Sequence, residues 1–172
     1  GIDVSSPKDF AAARQAIEKG FPEELAFLRA MPTILLHDDY LFVHGGVPRE
    51  DGLEALVARQ CMKNDDFLSQ GRNFRRWVVV GHWPVTLYRP DIPSAKPLIL
   101  PRRHIASIDG GCSLKADGQL NALILPLGPG DDFAYVAYDG FPVMTAQDDQ
   151  APSADPLNIR WGHSEVEVLE LG

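Results

Sequence analysis

Apolar residues in this chain come in short runs that stop at glycine or proline. Leu41-Phe42-Val43 runs into His44-Gly45-Gly46-Val47-Pro48, and Trp77-Val78-Val79-Val80 runs into Gly81-His82-Trp83-Pro84. Runs of this length, rich in Val, Phe and Trp and closed by turn residues, predict buried β-strands. Strands are predicted in the same way at residues 33–36, 98–100, 104–108 and 133–138. Residues 37–39 (His-Asp-Asp) read as a hairpin turn between the first two strands, and Asp117-Gly118 as a second turn pairing residues 113–115 with 120–125. Alternation over residues 134–138 predicts one wet face.

The helical period appears mainly at the start. Ser6-Pro7 has the residue types of an N-cap and first helical position, Asp9 favours the first turn, and Phe10, Ala13 and Ile17 share a face up to Gly20. A second helix is predicted after Phe21-Pro22, with Leu25 and Leu28 inward and Pro32 as its stop. Two more are expected at about residues 52–59 and 65–70. The pattern implies an α+β fold: a mixed β-sheet with helices on one face. Residues 1–146 form the main domain, 147–157 a polar linker, and 158–172 a small β appendage. That appendage is built on strand-like runs at 158–161 and 166–169, docked through Ile159, Trp161, Val166 and Val168.

Composition narrows the reading. With 172 residues and 45% hydrophobic content the chain can bury one real core, and 15 Gly and 14 Pro favour many turns over long helices. A net charge of −8 argues against nucleic-acid or anionic-membrane surfaces as partners. No apolar run nears the roughly 20 residues of a membrane span, and no secretory signal is visible. Cys61 and Cys112 make neither a disulfide framework nor a Cys-rich zinc site, so a cytoplasmic setting is expected. Arg72, Arg75 and Arg76, and Arg102 and Arg103, read as solvated strand flanks or, alternatively, as a phosphate-attracting rim.

The candidate chemistry lies in His44 and His82. Each imidazole is delivered by an apolar strand onto a glycine-flanked turn, and imidazole pairs at strand ends are a common basis of metal sites. His37, Asp38 and Asp39 belong to an exposed turn, and His104 and His163 are expected to be exposed as well.

Val43-His44-Gly45-Gly46 and Val80-Gly81-His82-Trp83-Pro84 resemble the last two metal-binding motifs of the calcineurin-like metallophosphoesterases. That superfamily includes bacterial Ser/Thr protein phosphatases and diadenosine tetraphosphate hydrolases. Ile105-Ala106-Ser107-Ile108-Asp109-Gly110-Gly111 and Gly118-Gln119-Leu120-Asn121-Ala122-Leu123 are similar to the strand, turn and strand that follow in the family. The likeness runs from about residue 21 to 126. The early family motifs, Asp-x-His, Gly-Asp-x-x-Asp-Arg and Gly-Asn-His-Asp/Glu, are absent from the sequence.

The resemblance therefore implies the C-terminal half of an αββα metallophosphoesterase sandwich. Such a domain holds two divalent metal ions, manganese or similar, and hydrolyses a phosphorylated substrate. It implies His44 and His82 as metal ligands, with the bridging aspartate, the asparagine ligand and the general-acid histidine in the missing half. Family members carry an arginine before the phenylalanine equivalent to Phe67. Here Lys63, or Arg59 further back, would have to meet the substrate phosphate. The chain alone is expected to be inactive, with one apolar sheet face left for the missing N-terminal half or a self-associated copy. The alternative is a non-catalytic interaction module that folds without metal.

Overall fold

The computed structural model describes Val4, residues 6–88, 94–113, 118–128, 130–140 and Thr145. The chain divides into two compact units between Thr33 and Ile34. In the first, helix α1 (Pro7–Gly20) begins as its sequence predicts: Ser6 Oγ accepts from the Asp9 backbone N–H at 3.2 Å, with proline at the first turn. Helix α2 (Pro22–Ala30) follows directly. Phe10, Ala13, Ile17 and Leu25 line an apolar groove of this unit. Leu28, expected inward, is exposed, because a two-helix unit offers it no third layer to pack on.

The second unit is built on a mixed five-stranded sheet in the order β1-β2-β3-β5-β4. Its strands are β1 (Ile34–His37), β2 (Tyr40–Val43), β3 (Trp77–Val80), β4 (Leu98–Leu100) and β5 (Ile105–Ser107). The β1–β2 hairpin turns at Asp38 and Asp39, Asp38 taking a φ of 48°. Strands β2, β3 and β5 run parallel, while the edge strands β1 and β4 are antiparallel to their neighbours. Every residue of β3 is buried, which is why its sequence reads Trp-Val-Val-Val rather than alternating.

Alternation sorts the core into two faces. Leu41, Val43, Val78, Val80 and Ile105 pack on one side with Cys61, Phe67, Leu68 and Phe74. Trp77, Val79 and Ala106 pack on the other, with Tyr40, Phe42, Leu123 and Phe133 against them. Leu123 of β6 (Leu120–Ile124) and Phe133, just ahead of β7 (Ala134–Tyr138), lie against this second face; β6 and β7 form an antiparallel pair. Phe133, just before β7, meets Trp77 edge-on with ring centroids 4.5 Å apart. Asn121, almost fully buried, ties β6 to the exit of β5 by donating to Ile108 O at 2.9 Å, and it also donates to Ala95 O at 2.8 Å.

Three further expectations change. The helix foreseen at 52–59 is a single 3₁₀ turn (Leu53–Ala55) and then a short helix α3 (Ala58–Met62); the one at 65–70 is the 3₁₀ turn Phe67–Gln70. Gly52, Asp66 and Gly71 take positive φ and interrupt any longer helix. Strand β6 pairs with β7; of its expected partner, residues 113–115, positions 114 and 115 lie outside the described residues. Strand β7 is exposed along its whole length, so both of its faces are wet where one was expected. The linker and the appendage at 158–172 also lie outside the described residues.

The arginine clusters are structural at the amino ends of the parallel strands. The buried Glu50 carboxylate accepts from the backbone N–H groups of Arg75 (2.7 Å) and Arg76 (2.8 Å), capping the entry to β3. Arg72 donates to Pro48 O, and Arg103 donates to Leu68 O and Arg72 O. The solvated-flank reading thus fails for Arg72 and Arg103, whose donors satisfy carbonyls that no strand pairs. Among the described residues no helix is long and apolar enough to cross a membrane.

Candidate metal centre

Parallel strands gather their carboxyl ends on one edge of the sheet, where ligand sites of such sheets form. Here β2, β3 and β5 bring His44, Gly81-His82 and Asp109 to that edge. Backbone hydrogen bonds lock the exits together: Gly81 N–H donates to His44 O at 2.9 Å, and Ile108 N–H to Val80 O at 2.9 Å. The arginines described above sit at the opposite strand ends, so they form no phosphate-attracting rim around the histidines.

The imidazoles of His44 and His82 converge, with ring centroids 4.9 Å apart and planes tilted by 53°. Burial and the neighbouring His82 push the His44 pKa below its ordinary value; Asp109 acts upward on it and Lys63 downward. A lowered pKa leaves His44 neutral near pH 7, with a lone pair available. His82 sits at φ 67°, a left-handed conformation unusual for a residue with a Cβ. The Trp83 N–H donates back to Gly81 O at 2.8 Å, closing a three-residue γ-turn around His82. A γ-turn of positive φ is rare and strained. Strain kept at one residue is a mark of functional sites, and this one lies at the residue whose imidazole meets His44.

Gly45 determines what surrounds the pair. Its N–H donates to Cys61 O at 2.7 Å, and a Cβ there would lie 3.0 Å from backbone atoms of Cys61, Met62 and Asn64. Only glycine lets the end of α3 come this close. That approach puts Lys63 within electrostatic reach of His44 and Asp65 against His82, where Asp65 Oδ1 lies 2.7 Å from Nε2. Gly46, at φ 131°, lies under the Phe67 ring, which a Cβ would overlap.

Of the residues singled out in the sequence, His44 and His82 are brought together, and Lys63 acts electrostatically on His44. Arg59 lies exposed on α3, and no contact links its guanidinium to either histidine. His37 is exposed in the β1–β2 hairpin. His104 was expected to be exposed. It is half-buried, its ring 5.3 Å from that of Trp77 and its Nδ1 2.9 Å from Arg75 O. Asp65 was missed, since nothing in Lys63-Asn64-Asp65-Asp66 marks one carboxylate over the other. Asp109 was read as a turn residue. One of its oxygens does accept from Gly111 N–H at 2.8 Å, an Asx-type turn, but the carboxylate also acts on His44.

No protein-family model, curated protein or solved structure matches this chain. Among the described residues no three His, Cys, Asp or Glu side chains already form a cation cage. Two converging imidazoles, one kept neutral by its surroundings, fit the nitrogen part of a divalent-metal centre. Full occupancy would call for carboxylates from elsewhere or a movement of Asp65 or Asp109.

Proposed function

We propose that this chain supplies part of a metal-dependent phosphoesterase centre of the calcineurin-like metallophosphoesterase type, acting on a phosphoprotein, a dinucleotide polyphosphate or a related phosphate ester. The supporting observation is the convergence of His44 and His82 from the carboxyl ends of adjacent parallel strands. His44 and His82 would hold a divalent ion, and Lys63 would add positive charge beside it for a phosphate oxygen. Bound divalent ions supply charge stabilisation for phosphoryl transfer and make water nucleophilic at neutral pH. In this reading the remaining carboxylate ligands and the general acid come from an N-terminal half carrying the early family motifs.

The test is hydrolysis of p-nitrophenyl phosphate with excess Mn²⁺. This chain alone is expected to be inactive, since the general acid by itself contributes about two to four orders of magnitude. The same chain fused behind an N-terminal metallophosphoesterase half is expected to turn over, and His44→Ala in that fusion to abolish turnover. Metal-dependent activity of the lone chain, lost in His44→Ala, would show that the missing ligands lie within it. An inactive fusion would favour the second reading, a binding module. That reading draws on β1, the edge strand of the sheet among the described residues, where Leu35 and Leu36 are exposed.

A further inference from the structure

We propose that Asp65 is the positioning residue that fixes His82 in its Nε2–H tautomer and so assigns Nδ1 as the metal-binding nitrogen. The inference rests on the metal reading above. Its starting point is the 2.7 Å contact between His82 Nε2 and Asp65 Oδ1. An ionised carboxylate can only accept, so in this contact Nε2 donates. A neutral imidazole has one proton to give, which leaves the lone pair on Nδ1. Nδ1 of His82 and both ring nitrogens of His44 have no hydrogen-bond partner among the described residues. The convergent pair thus presents unengaged nitrogens, while Nε2 of His82 is taken by Asp65.

Asp65 is held in place although its carboxylate is two-thirds exposed (68%). Cys61, four residues before it, and Phe67, two after, are both buried. Asn64 Oδ1 accepts from Gln70 Nε2 at 2.6 Å, and the Asn64 backbone packs against Gly45. The segment is thus anchored on both sides of the residue that meets His82. Metal-ligating histidines characteristically donate their second ring N–H to a carboxylate, which fixes the tautomer and raises ligand basicity. The strained γ-turn at His82 serves the same end from the backbone side.

The test is long-range ¹H–¹⁵N correlation spectroscopy of the full chain with ¹⁵N-labelled histidine, before and after Zn²⁺. The metal-free protein is expected to show His82 as the Nε2–H tautomer, with Zn²⁺ shifting Nδ1 of His82. Asp65→Ala is expected to give a tautomer mixture and about ten-fold weaker Zn²⁺ binding by calorimetry, the lower end of the range for such partners because Asp65 is exposed. Asp65→Asn, which keeps an acceptor oxygen, should recover most of that affinity. An Nδ1–H tautomer in the unsubstituted chain, or a Zn²⁺ shift at Nε2, would overturn the assignment. So would equal or tighter Zn²⁺ binding by Asp65→Ala, which would make Asp65 a bystander or a competitor for the nitrogen. If Zn²⁺ moved neither His44 nor His82, the metal reading itself would fall, and that result is separate from the tautomer seen without metal.

Discussion

His82 carries the conflict between local comfort and placement most plainly. A non-glycine residue in the left-handed region costs about 1–2 kcal/mol, and the γ-turn leaves His82 no way to relax. Glycine normally destabilises a position relative to alanine, through the freedom it loses on folding. At this turn the order should invert. His82→Gly is expected to be more stable than His82→Ala by about 1 kcal/mol, read from urea denaturation midpoints. Both variants lose the imidazole and its contact with Asp65, so the comparison isolates the backbone. Equal stabilities, or a more stable alanine variant, would mean that the turn is not strained at this residue.

The link between β2 and β3 shows how an element far from the histidines sets their geometry. Glu50, soon after the β2 exit, reaches the start of β3 and accepts both the Arg75 and Arg76 backbone N–H groups. Burial raises the Glu50 carboxyl, but those two hydrogen bonds and the two arginine charges outweigh it and hold its pKa below the ordinary 4.5. The unfolded chain therefore takes up this proton first as the pH falls. The stabilisation is present in full above about pH 4.5 and is lost as the pH drops through the lower folded value. Glu50→Gln is expected to cost about 1–2 kcal/mol near pH 7, for loss of charge-assisted bonds. It should also flatten the fall in stability below pH 4.5 in denaturation series. An unchanged acid profile in Glu50→Gln would show that other carboxylates carry it.

The division between Thr33 and Ile34 bears on the whole molecule. Both buried clusters are made only of residues beyond Thr33, while neither α1 nor α2 buries a single residue. Hydrophobic burial is the main favourable term in folding, so the sheet unit should hold its structure without the helices. A chain beginning at Ile34 is expected to keep a cooperative urea transition, with a midpoint close to that of the full chain, followed by tryptophan fluorescence through the buried Trp77. Loss of that transition would mean that the sheet unit does not hold its structure without residues 1–33.

Residue order alone made much of this legible. Trp-Val-Val-Val closed by glycine reads as a buried strand, the Ser6-Pro7 cap marks where α1 begins, and glycine beside each histidine announces a turn at each strand exit. These are local signals, written within a few residues of where they act. The convergence of His44 with His82 was inferred from two matching local patterns, but its distance and tilt depend on the parallel register of β2 and β3. Asp65 could not be read at all. It reaches His82 from 17 positions away, because Gly45 admits the end of α3 and buried Phe67 pins the chain beyond it. The pairing of β6 with β7 likewise brings Leu123 and Phe133 onto the Trp77 face. Sequence determines what each segment is suited to become. Which segments meet is decided by the apolar surface they can bury together, and that is settled only when the whole sheet forms.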